Sequence, residues 1–229
     1  MSGDAAIAIV LKHAASQGPK NRPHQYRSTL KHASKPFVAM VRAQQDEGKS
    51  WDNLYALLSS NASGNQVVSI IRNVRFAESE LASTKDTVDA VITKYGKPTR
   101  EDAADSLRFL FFGYKDGQLL SGESECVGLS GNAARLARES RHNAEGWLSS
   151  FSGSIVANRG DNCSAAMVWY LGYAHLNGFY NDKVIASLGV AFFDAQRFLA
   201  TSQRDVAAEK ELEEKARNSP VTPTAKPKL

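Results

Sequence analysis

The chain has 229 residues, 42% hydrophobic and 23% charged, with a net charge of +4. That is an ordinary composition for one large or two small globular domains. Apolar runs such as MVWYLGYAHL are too short and too interrupted to cross a bilayer. The acid Asp4 and the lack of a basic stretch ahead of Ile7 argue against a secretory signal. Two cysteines, Cys126 and Cys163, make neither a disulfide framework nor a metal set, so a reducing intracellular compartment is the expectation.

In chain order the elements read as helices. Asp4 caps a first helix with Ile7, Val10 and Leu11 on one face, stopped by Gly18-Pro19. Ser34 and Pro36 open a second through Phe37, Met40 and Val41, and Ser50 a third through Trp51, Leu54, Leu57 and Leu58. Asn65 leads a longer one in which Val67, Ile70, Ile71 and Val74 recur at helical spacing. The stretch DTVDAVITKYG follows, with Val88, Val91, Ile92 and Tyr95 ahead of Gly96. Thr99 with Asp102 resembles a capping box for AADSLRFLFFGYK. After a glycine-rich loop over 116–131 comes an arginine-bearing helix reaching Phe151, then the loop SGSIVANRGDN, then an aromatic helix SAAMVWYLGYAHLNGFY. Asn181 caps the last helix, whose second half, RDVAAEKELEEKARN, is charged all round and is expected to project into solvent or against a neighbour. No strand pattern and no internal repeat stands out. The predicted fold is all-α: a basic N-terminal arm over 1–33, a helical-bundle core over 34–200, and a charged helix extension with a disordered tail over 201–229.

Residues 1–45 hold seven Lys/Arg against the single acid Asp4, a net of +6, with Tyr26 and three histidines among them. A basic segment on a near-neutral body suits a polyanion, and equally a solvated extension. Enzyme signatures are missing: there is no G-x-G-x-x-G, no phosphate-binding loop and no H-E-x-x-H. His142 and His175 stand too isolated to act as ligands or bases, so no enzyme, metal or cofactor is expected.

Arginine placement is the strongest chemistry. Arg135, Arg138 and Arg141 recur at intervals of three, and on a helix they form a slanting row. Arg72 and Arg75 share the same spacing, and Arg159 lies in a loop able to close over a ligand. A planar, permanently charged guanidinium bonds phosphate oxygens in pairs. Two uses fit these residues: phosphate contact, or helix-surface pairing with Glu78 for Arg72 and Arg75 and with Glu139 and Glu145 for the row. Asp194, set in VAFFDAQRFL among apolar neighbours, needs a cation, and the row is a source of one.

An arginine helix, an aromatic helix and then a Phe-Phe-Asp block over residues 132–199 together resemble the core of the coat proteins of flexible filamentous plant RNA viruses. In that family helical subunits wind around single-stranded RNA held in a basic groove, and flexible arms link neighbours. The resemblance implies a capsid or nucleocapsid protein of the virion and host cytoplasm, self-associating into a filament. It aligns Asp194 with the family aspartate and one of Arg135, Arg138 or Arg141 with the family arginine. The expected ligand is the RNA backbone, contacted without regard to base sequence, and no membrane is expected to be involved. The alternative reading is a helical protein-protein interaction module of bacterial or phage origin.

Overall fold

The all-α expectation is overturned. A computed structural model describes residues 1–18, 22–31, 33, 35–44, 50–104, 106–121 and 163–218. Among these residues the chain forms a ten-stranded antiparallel sheet with three α-helices. Helix α1 (Gly3–Ser16) leads into β1 (Arg22–Ser28), β2 (Phe37–Gln44), β3 (Trp51–Leu58) and β4 (Val67–Arg75). A 3-10 turn (Glu78–Glu80) and the short β5 (Ala82–Ser83) precede α2 (Thr84–Tyr95). Then come β6 (Arg100–Ala104), β7 (Leu107–Lys115), β8 (Gln118–Leu119), β9 (Ala165–Leu176), β10 (Phe179–Asp194) and helix α3 (Ala195–Asn218).

The strands lie in the order β1-β2-β3-β4-β10-β9-β7-β6, with β5 on β10 and β8 on β7. A helix followed by a run of strands therefore occurs twice, and the closing strands of the two runs, β4 and β10, pair at the centre. This is a repeat of topology that the residue pattern did not display. Both leading helices cover the same face. Ala6, Val10 and Ala14 of α1 pack on Val41, Ala43, Ala56 and Leu58, while Val88 and Val91 of α2 pack on Leu110, Phe112, Met167 and Leu171. The other face holds Met40, Tyr55, Leu57, Ile71, Phe111, Val168, Ala191 and Phe193, and the start of α3 adds Ala195, Phe198 and Leu199 to it.

The misreading has a physical cause. Strands covered on both faces carry apolar residues on both, so their period of two disappears. In β4, Val67 and Ile70 pack with α1 while Val68 and Ile71 belong to the opposite cluster. Val67, Ile70, Ile71 and Val74 then match a helical template by coincidence. The long aromatic and apolar segments before and after Asn177-Gly178 are likewise β9 and β10, not helices. The helix expected before Gly96 is present as α2, with the Ser83 hydroxyl accepting from the Asp86 N–H at 3.2 Å.

The segment 1–33 is no free arm. It supplies α1, capped by Ser2 rather than Asp4, and the edge strand β1, paired with β2 from Arg22–Gln44 to Ser28–Phe37. At the other end, residue 201 falls inside the continuous helix α3, with Thr201 buried. The charged half of that helix meets the body: Ser60 Oγ donates to Asp205, and the Lys31 N–H donates to Glu209 at 2.7 Å. Cys163 is disulfide-bonded, whereas the composition suggested thiols; the only other cysteine in the sequence is Cys126. No helix among the described residues is long and apolar enough to cross a membrane.

Candidate nucleic-acid interface

Strand geometry re-sorts the arginines. Residues 72 and 75 differ by an odd number, so their side chains leave β4 on opposite faces. Arg72 shares the helix-covered face with Ile70. There its Nε and one terminal nitrogen grip Asp52 of β3 at 2.9 and 2.6 Å. Asp52 also lies 3.5 Å from His13 of α1. The hydrogen bonds that Arg72 donates to Asp52 are the largest influence raising the Arg72 pKa, against partial burial that lowers it. This cation is committed to the fold.

Arg75 is different. It is exposed on the opposite face, and neither Glu78 nor any other described acid forms an ion pair with it. Directly across the β3–β4 pairing stands Trp51, half-buried. The same face of β1 and β2 carries an arginine beside an aromatic ring. Arg42 lies over the Tyr26 ring at 4.9 Å from its centroid, with His24 opposite Arg42 in the register. The Arg42 Nε is buried without a hydrogen-bond partner, and among the described residues the Tyr26 ring is the contact shown for this guanidinium.

Among the strand residues of β1 to β4 the one acid is Asp52, and it points to the other face, into the Arg72 pair. The strand residues of the flank, His24, Tyr26, Arg42, Trp51 and Arg75, are thus basic and aromatic, with no carboxylate among them. Exposed Arg27, opposite Val38, lies on the helix-covered face, and exposed Lys31 and Lys35 follow β1 in the connection where the Lys31 N–H meets Glu209 of α3. The middle of this face is closed, since Asn53, Asn73 and Tyr55 are buried. What is accessible is the flank.

The remaining expected site residues fall as follows. Arg135, Arg138, Arg141 and Arg159 lie outside the described residues. Asp194 ends β10 and caps α3: its Oδ1 accepts from the Arg197 N–H at 2.8 Å, and its Oδ2 lies 3.3 Å from Arg197 Nε. Its cation comes from the next helical turn, three residues along. Tyr26, Arg42 and Trp51 were missed as site residues because their significance depends on strand pairing. The signal available was the alternation in RPHQYRS, which places Arg22, His24 and Tyr26 at a period of two.

Comparison with protein-family models, with curated proteins and with solved structures finds no match to this chain.

Proposed function

We propose that the chain binds single-stranded RNA along the β1–β4 flank. The observation that carries this reading is Arg42 over the Tyr26 ring, with Arg75 opposite Trp51 in the strand register, on a face to which β1 to β4 contribute no acid. Arginine forks hold phosphate oxygens in pairs, and ring faces stack on unpaired bases whatever their identity. Residues 1–45, which carry a net charge of +6, include β1 and β2, the strands that give this flank Arg42, Tyr26 and His24. That charge supplies long-range attraction for a polyanion. The filament implied by the coat-protein resemblance rested on a helical subunit, which this sheet does not supply.

The test is fluorescence anisotropy of labelled 12-mer RNA titrated with the protein at several salt concentrations. Binding weakens steeply with salt, and the Arg42→Gln/Arg75→Gln variant lowers the slope of log affinity against log salt by about 1.4, at roughly 0.7 per phosphate contact. Trp51→Ala weakens binding by about 1–3 kcal/mol through lost stacking. Absence of binding at low salt, or an unaltered slope in a double variant with wild-type circular dichroism, overturns the reading.

A further inference from the structure

At the end of β4 the flank runs into a cavity of about 440 Å³ between the 3-10 turn and the β9–β10 hairpin. Arg75 belongs to both. Phe76, Leu81 and Leu176 give the cavity apolar walls, and Glu78 and His175 add polar groups. The His175 ring is held edge-on against Tyr180, with centroids 5.1 Å apart. The volume lies within the range of small-molecule sites, and apolar walls with a few convergent polar groups are their usual make-up. A strand whose phosphate sits on Arg75 has its next base beside this opening.

We propose that the cavity takes one unstacked base of the bound strand, and that Glu78 makes it prefer a base with an exocyclic amine over uracil. This rests on the reading of the flank as an RNA interface and adds base selection to it. A carboxylate only accepts hydrogen bonds. Cytosine, adenine and guanine each present an amine N–H on the edge that faces out when the base leaves the stack. Uracil offers a single ring N–H between two carbonyl oxygens, whose lone pairs repel the second carboxylate oxygen. Among the described residues no cation forms an ion pair with Glu78. Selection then acts at one nucleotide, while the phosphate contacts stay independent of sequence.

The experiment compares oligocytidine and oligouridine 12-mers by anisotropy, on the wild-type chain and on Glu78→Gln. The expected preference for oligocytidine is about tenfold, within the discrimination of one good base contact. Glu78→Gln loses it, because an amide also donates and so accommodates uracil, and the salt slope for oligouridine stays unchanged. Equal wild-type affinity for the two oligomers, or a preference that survives Glu78→Gln, overturns this inference and leaves the flank standing. Failure of every oligomer to bind overturns both.

Discussion

Arg72 and Asp52 face each other across neighbouring strands, joined by two hydrogen bonds and backed by His13 of α1. The pair ties the first helix to the central strands of its half of the sheet. Asp52 is largely covered, with a side chain 13% exposed, so removing its partner leaves a poorly solvated carboxylate. Arg72→Gln is expected to lower unfolding stability by about 1–2 kcal/mol, a magnitude typical of a lost hydrogen bond to a charged group. RNA affinity is expected to stay at the wild-type level, because this guanidinium is on the helix-covered face. Urea unfolding and anisotropy on one preparation check both parts; a drop in affinity at unchanged stability would count against the division of roles between Arg72 and Arg75.

Deleting residues 1–33 removes α1 and β1 together. Val41, Ala43, Ala56 and Leu58 lose their cover, and β2 becomes an open edge. The truncated chain is therefore expected to aggregate or lose its cooperative melt. A milder test is Val10→Ala at a position 2% exposed, expected to cost about 2 kcal/mol by large-to-small truncation. A shift of the denaturant midpoint near zero would show that α1 contributes little to the core.

The two halves of the problem were unequally legible in the sequence. Helices α1 and α2 could be read because each has one apolar face and a serine near its start. The strands could not be read from periodicity, since helices on one side and the Tyr55–Phe193 cluster on the other make both faces apolar. The better signal was turn chemistry. Asp116-Gly117 and Asn177-Gly178 have positive φ at both residues, 50° and 82° in the first and 51° and 87° in the second. They join β7 to β8 and β9 to β10 as two-residue hairpins, for which such dipeptides are the strongest short-range sign. β-branched density in VVSIIRNVR pointed the same way. The site was legible only as a charge excess near the N-terminus. Which arginines stay free depends on the register that sets Asp52 beside Arg72, and no local pattern encodes that pairing.

Asp194 serves as a helix cap. Loss of a capping carboxylate costs about 1 kcal/mol, and removal of a partner from a buried ion pair costs about 3–5 kcal/mol. Because the Arg197 side chain is 35% exposed, Asp194→Ala is expected at the lower figure. Asp194→Ser, which keeps a capping oxygen, should recover most of the loss in thermal melts. A cost above 3 kcal/mol would mean that a second cation depends on this carboxylate.

Burial raises the Tyr114 phenol above its ordinary range, with a further push from Tyr95, and burial is also the main cause at Tyr173. The native state then holds these protons after the unfolded chain has begun to release them. Stability is unaffected below the unfolded phenol value near pH 10 and is lost as pH rises through the folded value. Urea midpoints measured from pH 8 to 11 are expected to fall above pH 10, and less steeply in Tyr114→Phe. Equal alkaline slopes in the two proteins would mean that Tyr114 ionises as freely in the fold as out of it.

Asn73 lies over Gly189 on the neighbouring strand, where a Cβ would meet the Asn73 Oδ1 at 2.6 Å. Real Cβ atoms do not approach so closely, and Asn73 is 6% exposed, so its amide has little room to withdraw. Gly189→Ala is expected to cost about 1–3 kcal/mol by overpacking. Asn73→Ala carries its own cost from the hydrogen bonding it removes, and that cost appears equally in both backgrounds of a double-mutant cycle. The coupling term isolates the steric clash: with the amide gone the alanine at 189 fits, and the double variant is expected to be about 1 kcal/mol or more stabler than the sum of the single losses predicts. Tyr170 gives the alanine an ordinary contact, its Cδ1 lying 3.5 Å from the same Cβ position, so it adds no second obstacle. Additivity within about 0.5 kcal/mol would show that the glycine at 189 is required by something other than Asn73.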